Sequence, residues 1–367
     1  MLTGCTVSDP SHARYGQHLT QVEVNELVKP NDDALGLVHD WLFDHGIEAA
    51  SLSYSPAKDW IKVSLPVSQV ESLLDTEYSV FEHVEGDQIV RTLEWSLPMH
   101  LHEHIEVIQP TNSFFRPRAM KSTVKTVKTP AGWHAPKPPT NPSGQSLSQV
   151  CNETAVTPLC LRTLYGTLDY EPKAAGKNRI GLNDFLGESN NRSDVRLFLE
   201  QFRPEAVAAA EQFEVVVIAN GTNNQNQEDP TDLANGVELE GNLDAETILG
   251  ISWPTPLTAF TTGGNAPFIP DVETPTDTNE PYLTWVQYVL EHPNPPQVIS
   301  TSYDDDEQSV PKSFATSVCN SFAQLGARGV SLLFASGDSG VGTAGYVTVQ
   351  SVFMLQRDKV SAATQKK

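Results

Sequence analysis

VSLLFASGDSGVG, residues 330–342, decides how the chain is read. Val330 to Ala335 form a short unbroken apolar run that passes straight into Ser-Gly, which reads as a buried strand entering a tight turn. Unbroken apolarity suits a strand covered on both faces, as in a parallel sheet. Working back towards Cys151, strand-like and helix-like segments alternate. VPKSFATSVCNSFAQLGARG (310–329) precedes the first run, and PQVIST (296–301), EPYLTWVQYVLEH (280–292), PLTAFTT (256–262), a helix over 238–250, FEVVVIA (213–219), SDVRLFLEQF (193–202) and RIGLNDFL (179–186) continue the pattern. Such alternation predicts an α/β unit, a parallel sheet with helices on both faces. Sites in such folds form in the loops at the carboxyl ends of the strands, where the 334–342 turn belongs.

The N-terminal third has another pattern. TQVEVNELV (20–28) and DDALGLVHDWLFDHG (32–46) carry helical spacing, the second ending at Gly46 as a helix C-cap does. AASLSYS and DWIKVSL read as strands around Pro56-Ala57-Lys58, PVSQVESLLDT as a helix opened by Pro66, and EYSVFEHV and QIVRTLEW as two more strands. Residues 1–108 therefore form a small α+β domain. From 109 to 150 prolines at 110, 117, 130, 136, 138, 139 and 142 and the basic residues Arg116, Arg118, Lys121, Lys125 and Lys128 mark an exposed linker suited to proteolytic processing. Residues 151–342 carry the α/β pattern, and 343–367 read as an unrelated polar tail.

Lys plus Arg number 24 against 46 Asp plus Glu, a net charge of -22, which argues against nucleic acid or an anionic membrane as partner and suits a protein working in acid. MLTGCTVSDP lacks the basic start and apolar core of a signal peptide, whereas four cysteines and the sequons at Asn152, Asn191 and Asn220 suit a secretory route. Cys151 and Cys160 either close a short loop or stay as two thiols, because sequence fixes no connectivity.

Three carboxyls carry the chemistry. Glu240 and Asp244 are four apart on the 238–250 helix, so they share one face. Exposed, they are a solvated acidic face; turned inward, their repulsion raises one pKa and lets the pair hold one proton, as a base working in acid must. Asp338, in Ser-Gly-Asp-Ser-Gly, is either a turn-stabilising side chain or a protonated donor to a developing oxyanion. Ser339 invites comparison with trypsin-like nucleophiles, but strand and helix alternation contradicts their all-β setting. His100, His102 and His104 would face one side of a strand and suit a pH-sensitive contact better than zinc, and YDDDEQ (303–308) reads as a solvated acidic turn.

SDPSHARYGQHLT (8–20) resembles the start of a sedolisin (serine-carboxyl peptidase) activation prodomain. TPLCLRTLY (157–165), RIGLNDFLGE (179–188), ELEGNLDAE (238–246), VISTSYDDDEQSVP (298–311) and FASGDSGVG (334–342) look like ordered landmarks of that family's catalytic domain. The resemblance is to a tripeptidyl-peptidase-like proenzyme cut short at both ends. It implies a partial subtilisin-like parallel sheet preceded by a ferredoxin-like α+β prodomain. Glu240 would be the base, Asp244 its orienting partner and Asp338 the oxyanion donor. It further implies a secreted monomer acting on peptides or proteins, an intramolecular prodomain, and a calcium ion whose site falls beyond these residues. The family's nucleophile lies in a Gly-Thr-Ser turn that has no match here, so the chain as written is expected to be inactive. A non-catalytic fragment acting as inhibitor or chaperone of a full-length peptidase is the alternative.

Overall fold

The computed structural model describes residues 6–82, 88–112, 147–151, 156–226, 236–264, 266, 279–304 and 309–337. In the N-terminal unit, Thr20 opens α1 (Gln21–Val28) with a capping box: its hydroxyl accepts the Glu23 amide and the Glu23 carboxylate accepts the Thr20 amide at 2.8 Å. Asn31 caps α2 (Asp32–Asp44) by accepting the Ala34 amide at 2.7 Å, and the chain leaves this helix through Gly46 at φ +76°. Helix α3 (Val67–Leu74) follows Pro66. Trp41, Leu42, Ile47, Leu73, Leu74 and Leu101 close the core between these elements.

Strands β1 (Ser53–Tyr54) and β2 (Ile61–Lys62) pair antiparallel, as do β3 (Ser79–Glu82) and β4 (Gln88–Arg91). These are two separate two-stranded ladders, whereas the family resemblance leads one to expect a single ferredoxin-like sheet. The histidine segment also differs from expectation. Met99–Leu101 is a 3-10 turn, closed by bonds from the Leu101 amide to Pro98 and from the His104 amide to Leu101, so the three imidazoles do not line a strand face. Leu101, fully buried, is the anchor that turns the chain there.

The second unit is an α/β sandwich around a five-stranded parallel sheet, ordered β6-β7-β5-β8-β9. Its strands are β5 (Ile180–Asp184), β6 (Glu214–Ile218), β7 (Leu257–Thr262), β8 (Val298–Thr301) and β9 (Ser331–Phe334). Helix α4 (Pro158–Leu164) is tied to the preceding segment by the Cys151–Cys160 disulfide, and Cys319 is a free, half-buried thiol. Helices α5 (Arg192–Phe202) and α6 (Leu239–Ser252) pack on one face through Leu182, Val195, Leu199, Ala245, Leu249 and Ala259. Helices α7 (Tyr282–Glu291) and α8 (Lys312–Ala327) pack on the other through Phe260, Trp285, Val289, Ile299, Phe314 and Leu325.

All six residues of β7 are buried, as a strand covered on both faces requires. Strand β9 departs from the expectation of a strand covered on both faces. It lies at the sheet edge among the described residues, its burial alternates, and Leu333 is 55% exposed. Gly181 fits the packing between faces: a Cβ there would lie 2.9 Å from Ile299 and 3.2 Å from Phe260.

One sequon is built into this unit. Asn191 is 1% exposed; its Oδ1 accepts the Ser193 amide at 3.0 Å as the N-cap of α5, and its Nδ2 donates to the Asn226 carbonyl at 2.9 Å. A glycan would have to be carried by Nδ2, the nitrogen that donates to Asn226, on a side chain with no room around it. Peptide mapping of folded protein is expected to find Asn191 unmodified, and Asn191→Gln is expected to lower unfolding stability by ~1–2 kcal/mol in urea titrations, the scale of a lost N-cap.

Candidate active site

The site is built where β5 ends. Asn183 and Asp184 are the last residues of that central strand and both are fully buried, an unusual place for polar side chains. Asn183 Nδ2 donates to Thr301 Oγ1 at 2.9 Å, across to the end of β8, while its Oδ1 has no protein partner among the described residues. Asp184 Oδ1 accepts Asn190 Nδ2 at 3.4 Å, and its Oδ2 has no protein partner among the described residues.

The loop leaving β5 grips the start of α6. The Gly241 amide donates to Glu188 Oε2 at 3.2 Å, Asn190 Nδ2 donates to the Gly241 carbonyl at 2.7 Å, and the Asn191 amide donates to Asn242 Oδ1 at 2.7 Å. Ser189 Oγ donates to Glu238 Oε1 at 2.5 Å, and Glu238 caps the helix in the left-handed region at φ 58°. Carboxylates at a helix start suit the positive end of its dipole. The approach is so close that a Cβ on Gly241 would lie 2.4 Å from the Ser189 carbonyl oxygen and 3.1 Å from Asp184 Oδ1, so only glycine fits.

Glu240 sits in the first turn of α6 and Asp244 one turn later, so the structure keeps the two sequence-selected carboxyls on one helix face. Asp244 Oδ1 accepts the Ser302 hydroxyl at 2.9 Å, from the residue that follows β8. Its Oδ2 is buried without a protein partner among the described residues. Burial pushes the Asp244 carboxyl up to about 6, with the Ser302 hydroxyl pulling the other way. The spacing of Glu240 and Asp244 leads one to expect that their repulsion causes such a rise; loss of hydration is the cause instead.

Asp184 is driven further in the same direction, well above the usual carboxylate range, first by burial and then by Asp244 and Glu188. Tyr303, beside them, has its phenol raised by burial and by the same Asp184 and Glu188 charges. A third raised carboxyl, Glu246, lies two residues beyond Asp244. Burial, and then Asp194 on α5, raises it to about 8.

The turn that carries Asp338 starts at this same end of the sheet. The Ala335 amide donates to the Thr301 carbonyl at 3.0 Å, and a Cβ on Gly337 would meet Asp304 Oδ2 at 3.1 Å. Asp338 and Ser339 themselves lie outside the described residues.

Comparison with known proteins bears on this arrangement. Residues 5–114 match the Pro-kumamolisin activation domain. The chain is 37% identical over 344 residues to a probable tripeptidyl-peptidase SED3 of Trichophyton verrucosum, a match covering 92% of this chain and 54% of the relative. It is 38% identical to a probable tripeptidyl-peptidase SED3 of Arthroderma benhamiae over the same shares, and 35% identical to the tripeptidyl-peptidase sed4 of Aspergillus fumigatus over 92% and 53%. The chain belongs to the sedolisin family. This sedolisin spans about half the length of the curated relatives it matches.

Helical spacing in the sequence pointed to Glu240 and Asp244 as candidates and gave no notice of Asp184, Glu188 and Ser302, which the fold brings to the same end of the sheet. The signal for Asp184 was present in IGLNDFL, where an acid interrupts an apolar strand at its carboxyl end. Ser302 and Glu188 had no local signal, since their contacts span 58 and 53 residues of chain. Among the described residues no group of three or more His, Cys, Asp or Glu is placed to hold a metal ion.

The raised carboxyls fix a pH dependence. An acid whose folded pKa lies above its unfolded value confers stability that is present below the unfolded value and lost as the pH rises through the folded one. For Asp244 the window runs from its ordinary 3.8 to about 6, and for Glu246 from 4.5 to about 8. The melting temperature in low-salt buffer is therefore expected to fall steadily from pH 4 to pH 8. Glu246→Gln is expected to flatten the fall above pH 6 and to raise the melting temperature at pH 8; a melting temperature that rises over this range would contradict these protonation states.

Proposed function

We propose that this sedolisin is the prodomain and the carboxylate-bearing part of an acid-acting serine-type peptidase, hydrolysing peptide bonds as a tripeptidyl-peptidase, an endopeptidase or both. The observation that carries this is the part-buried Asp244, raised to about 6, held by Ser302 and backed by Asp184 at the carboxyl end of a parallel sheet. At pH 4 to 5 such a carboxyl keeps its proton. It can donate that proton in a hydrogen bond to an ionised Glu240, fixing that carboxylate as the base that takes the proton of an attacking serine. Asp338 is the proposed oxyanion donor, a role a carboxylic acid fills only while protonated. The strand order β6-β7-β5-β8-β9 supports the subtilisin-like reading.

The proposal extends to the organisation in the chain: a prodomain at 1–108, a processed linker at 109–150 and the peptidase part from 151 to 342. It extends also to secretion of the protein, its action as a monomer on peptide substrates, and inactivity of a polypeptide of these 367 residues, which offers no Gly-Thr-Ser nucleophile turn.

Two measurements test the reading. Residues 1–337 joined to the remaining half of one of the curated tripeptidyl-peptidases are expected to give, after acid activation, release of tripeptides from a fluorogenic substrate. Glu240→Ala is expected to lower kcat/KM by about 10²–10⁴-fold, the usual scale for a general base, and Asp244→Asn to lower it and shift the acid limb of the pH profile. A chimera that is active while Glu240→Ala keeps more than a tenth of that activity would overturn the assignment. The 367-residue polypeptide alone is expected to show no hydrolysis at pH 4, and activity there that Glu240→Ala abolishes would refute its proposed inactivity.

A further inference from the structure

The last carbonyls of an α-helix have no partner within the helix and must be satisfied from outside. In this chain two such ends, those of α7 and α8, are satisfied in part by the N-terminal unit. The Leu19 amide donates to the carbonyl of Ala327, the last residue of α8, at 2.8 Å. Gln21 Nε2 donates to the carbonyls of Leu290 and Glu291, the last two residues of α7, at 2.9 and 3.2 Å. The peptidase part supplies the other donor: Arg328 reaches Leu290 at 2.8 Å from Nη1, and His292 and Pro293 at 2.8 and 3.1 Å from Nη2.

A shape match accompanies these bonds. Gly329, which turns the chain out of α8 at φ +89°, lies under the His18 imidazole, and a Cβ there would come within 2.7 Å of the ring. The glycine is thus required twice, for the backbone turn and for the ring. Trp60 packs against the core beneath α7 and α8, and Ser317 Oγ donates to Glu106 Oε2 at 3.4 Å. The Lys62–Glu291 pair, 3.7 Å apart and half exposed, adds little.

We propose that the carboxyl ends of α7 and α8, with the Gly329 notch, form a docking site for the His18–Gln21 segment. This site holds the N-terminal unit on the sheet unit without help from the linker. The contact lies at the amino edge of the sheet, because α7 and α8 lead directly into β8 and β9, whereas Asp184 and Asp244 lie at the carboxyl edge. Cutting the linker therefore does not release the N-terminal unit. The inference rests on the prodomain reading only for its meaning in activation, and its test needs no enzymatic activity.

A specific protease site placed in the linker of the full 367-residue chain allows it to be cut at pH 7 and the products followed by size exclusion at micromolar concentration. The two pieces of the wild type are expected to elute together. The double substitution His18→Ala with Gln21→Ala is expected to weaken their association by about tenfold or more, the scale of two lost hydrogen bonds, with unchanged circular dichroism before cutting. Val22→Ala, at an exposed position on α1, is expected to behave as wild type. Gly329→Val is expected to separate the pieces as well; where it fails to fold, the double variant carries the test. Separation of the cut wild type, or co-elution of the double variant at wild-type affinity, would overturn the docking site.

Discussion

The close approach of α6 to the end of β5 is the constraint on which the rest depends. It is permitted by the missing side chain of Gly241, whose Cβ would overlap the Ser189 carbonyl, and it is enforced by three polar contacts from the 188–191 loop. Bringing helix and strand together sets Asp184, fully buried, near the part-buried Asp244, so that ionising both is disfavoured by lost hydration and by their mutual repulsion. The fold therefore favours protons on these groups. A polar cluster that is costly with its carboxyls ionised is less so in acid, where they keep their protons.

That constraint links stability with chemistry. Losing the proton of Asp244 costs the folded state at most about 3 kcal/mol if the whole shift from 3.8 to about 6 is expressed, a sizeable share of an ordinary domain's stability. In the proposed mechanism it is this retained proton that Asp244 donates towards Glu240, so one desolvated carboxyl would serve both ends. The net charge of -22, which raises self-repulsion as carboxylates ionise, pushes stability in the same direction.

Much of the α/β unit was legible because each element carries its own local signal. The strands β5 to β9 and helices α5 to α8 follow apolar runs and helical spacing, and Thr20, Asn31 and Gly46 mark helix ends by chemistry readable one turn at a time. What escaped is set by neighbours distant in sequence. The exposure of Leu333 depends on β9 lying at a sheet edge, and the 3-10 turn at Met99–Leu101 on Leu101 being drawn into a core made by α2 and α3. The candidate site was half visible for the same reason. Glu240 and Asp244 share a helix, while Asp184, Glu188 and Ser302 reach them only through the folded sheet.

The sheet also separates two tasks by direction. Parallel strands with returning helices place every strand's carboxyl end on one side and every preceding helix's carboxyl end on the other. Residues that must act on a ligand gather on the first side, where loops are free to vary and the carboxyls of β5 and α6 meet. On the second side the helices leave unsatisfied carbonyls, and an N-terminal unit that supplies Leu19 N–H and Gln21 Nε2 is held there by groups the peptidase fold exposes in any case. A unit anchored at that edge gains its hold without occupying the carboxylate site. Retention and occlusion are then separable properties, the first belonging to residues 18–21 and the second to whatever part of the chain crosses the opposite edge.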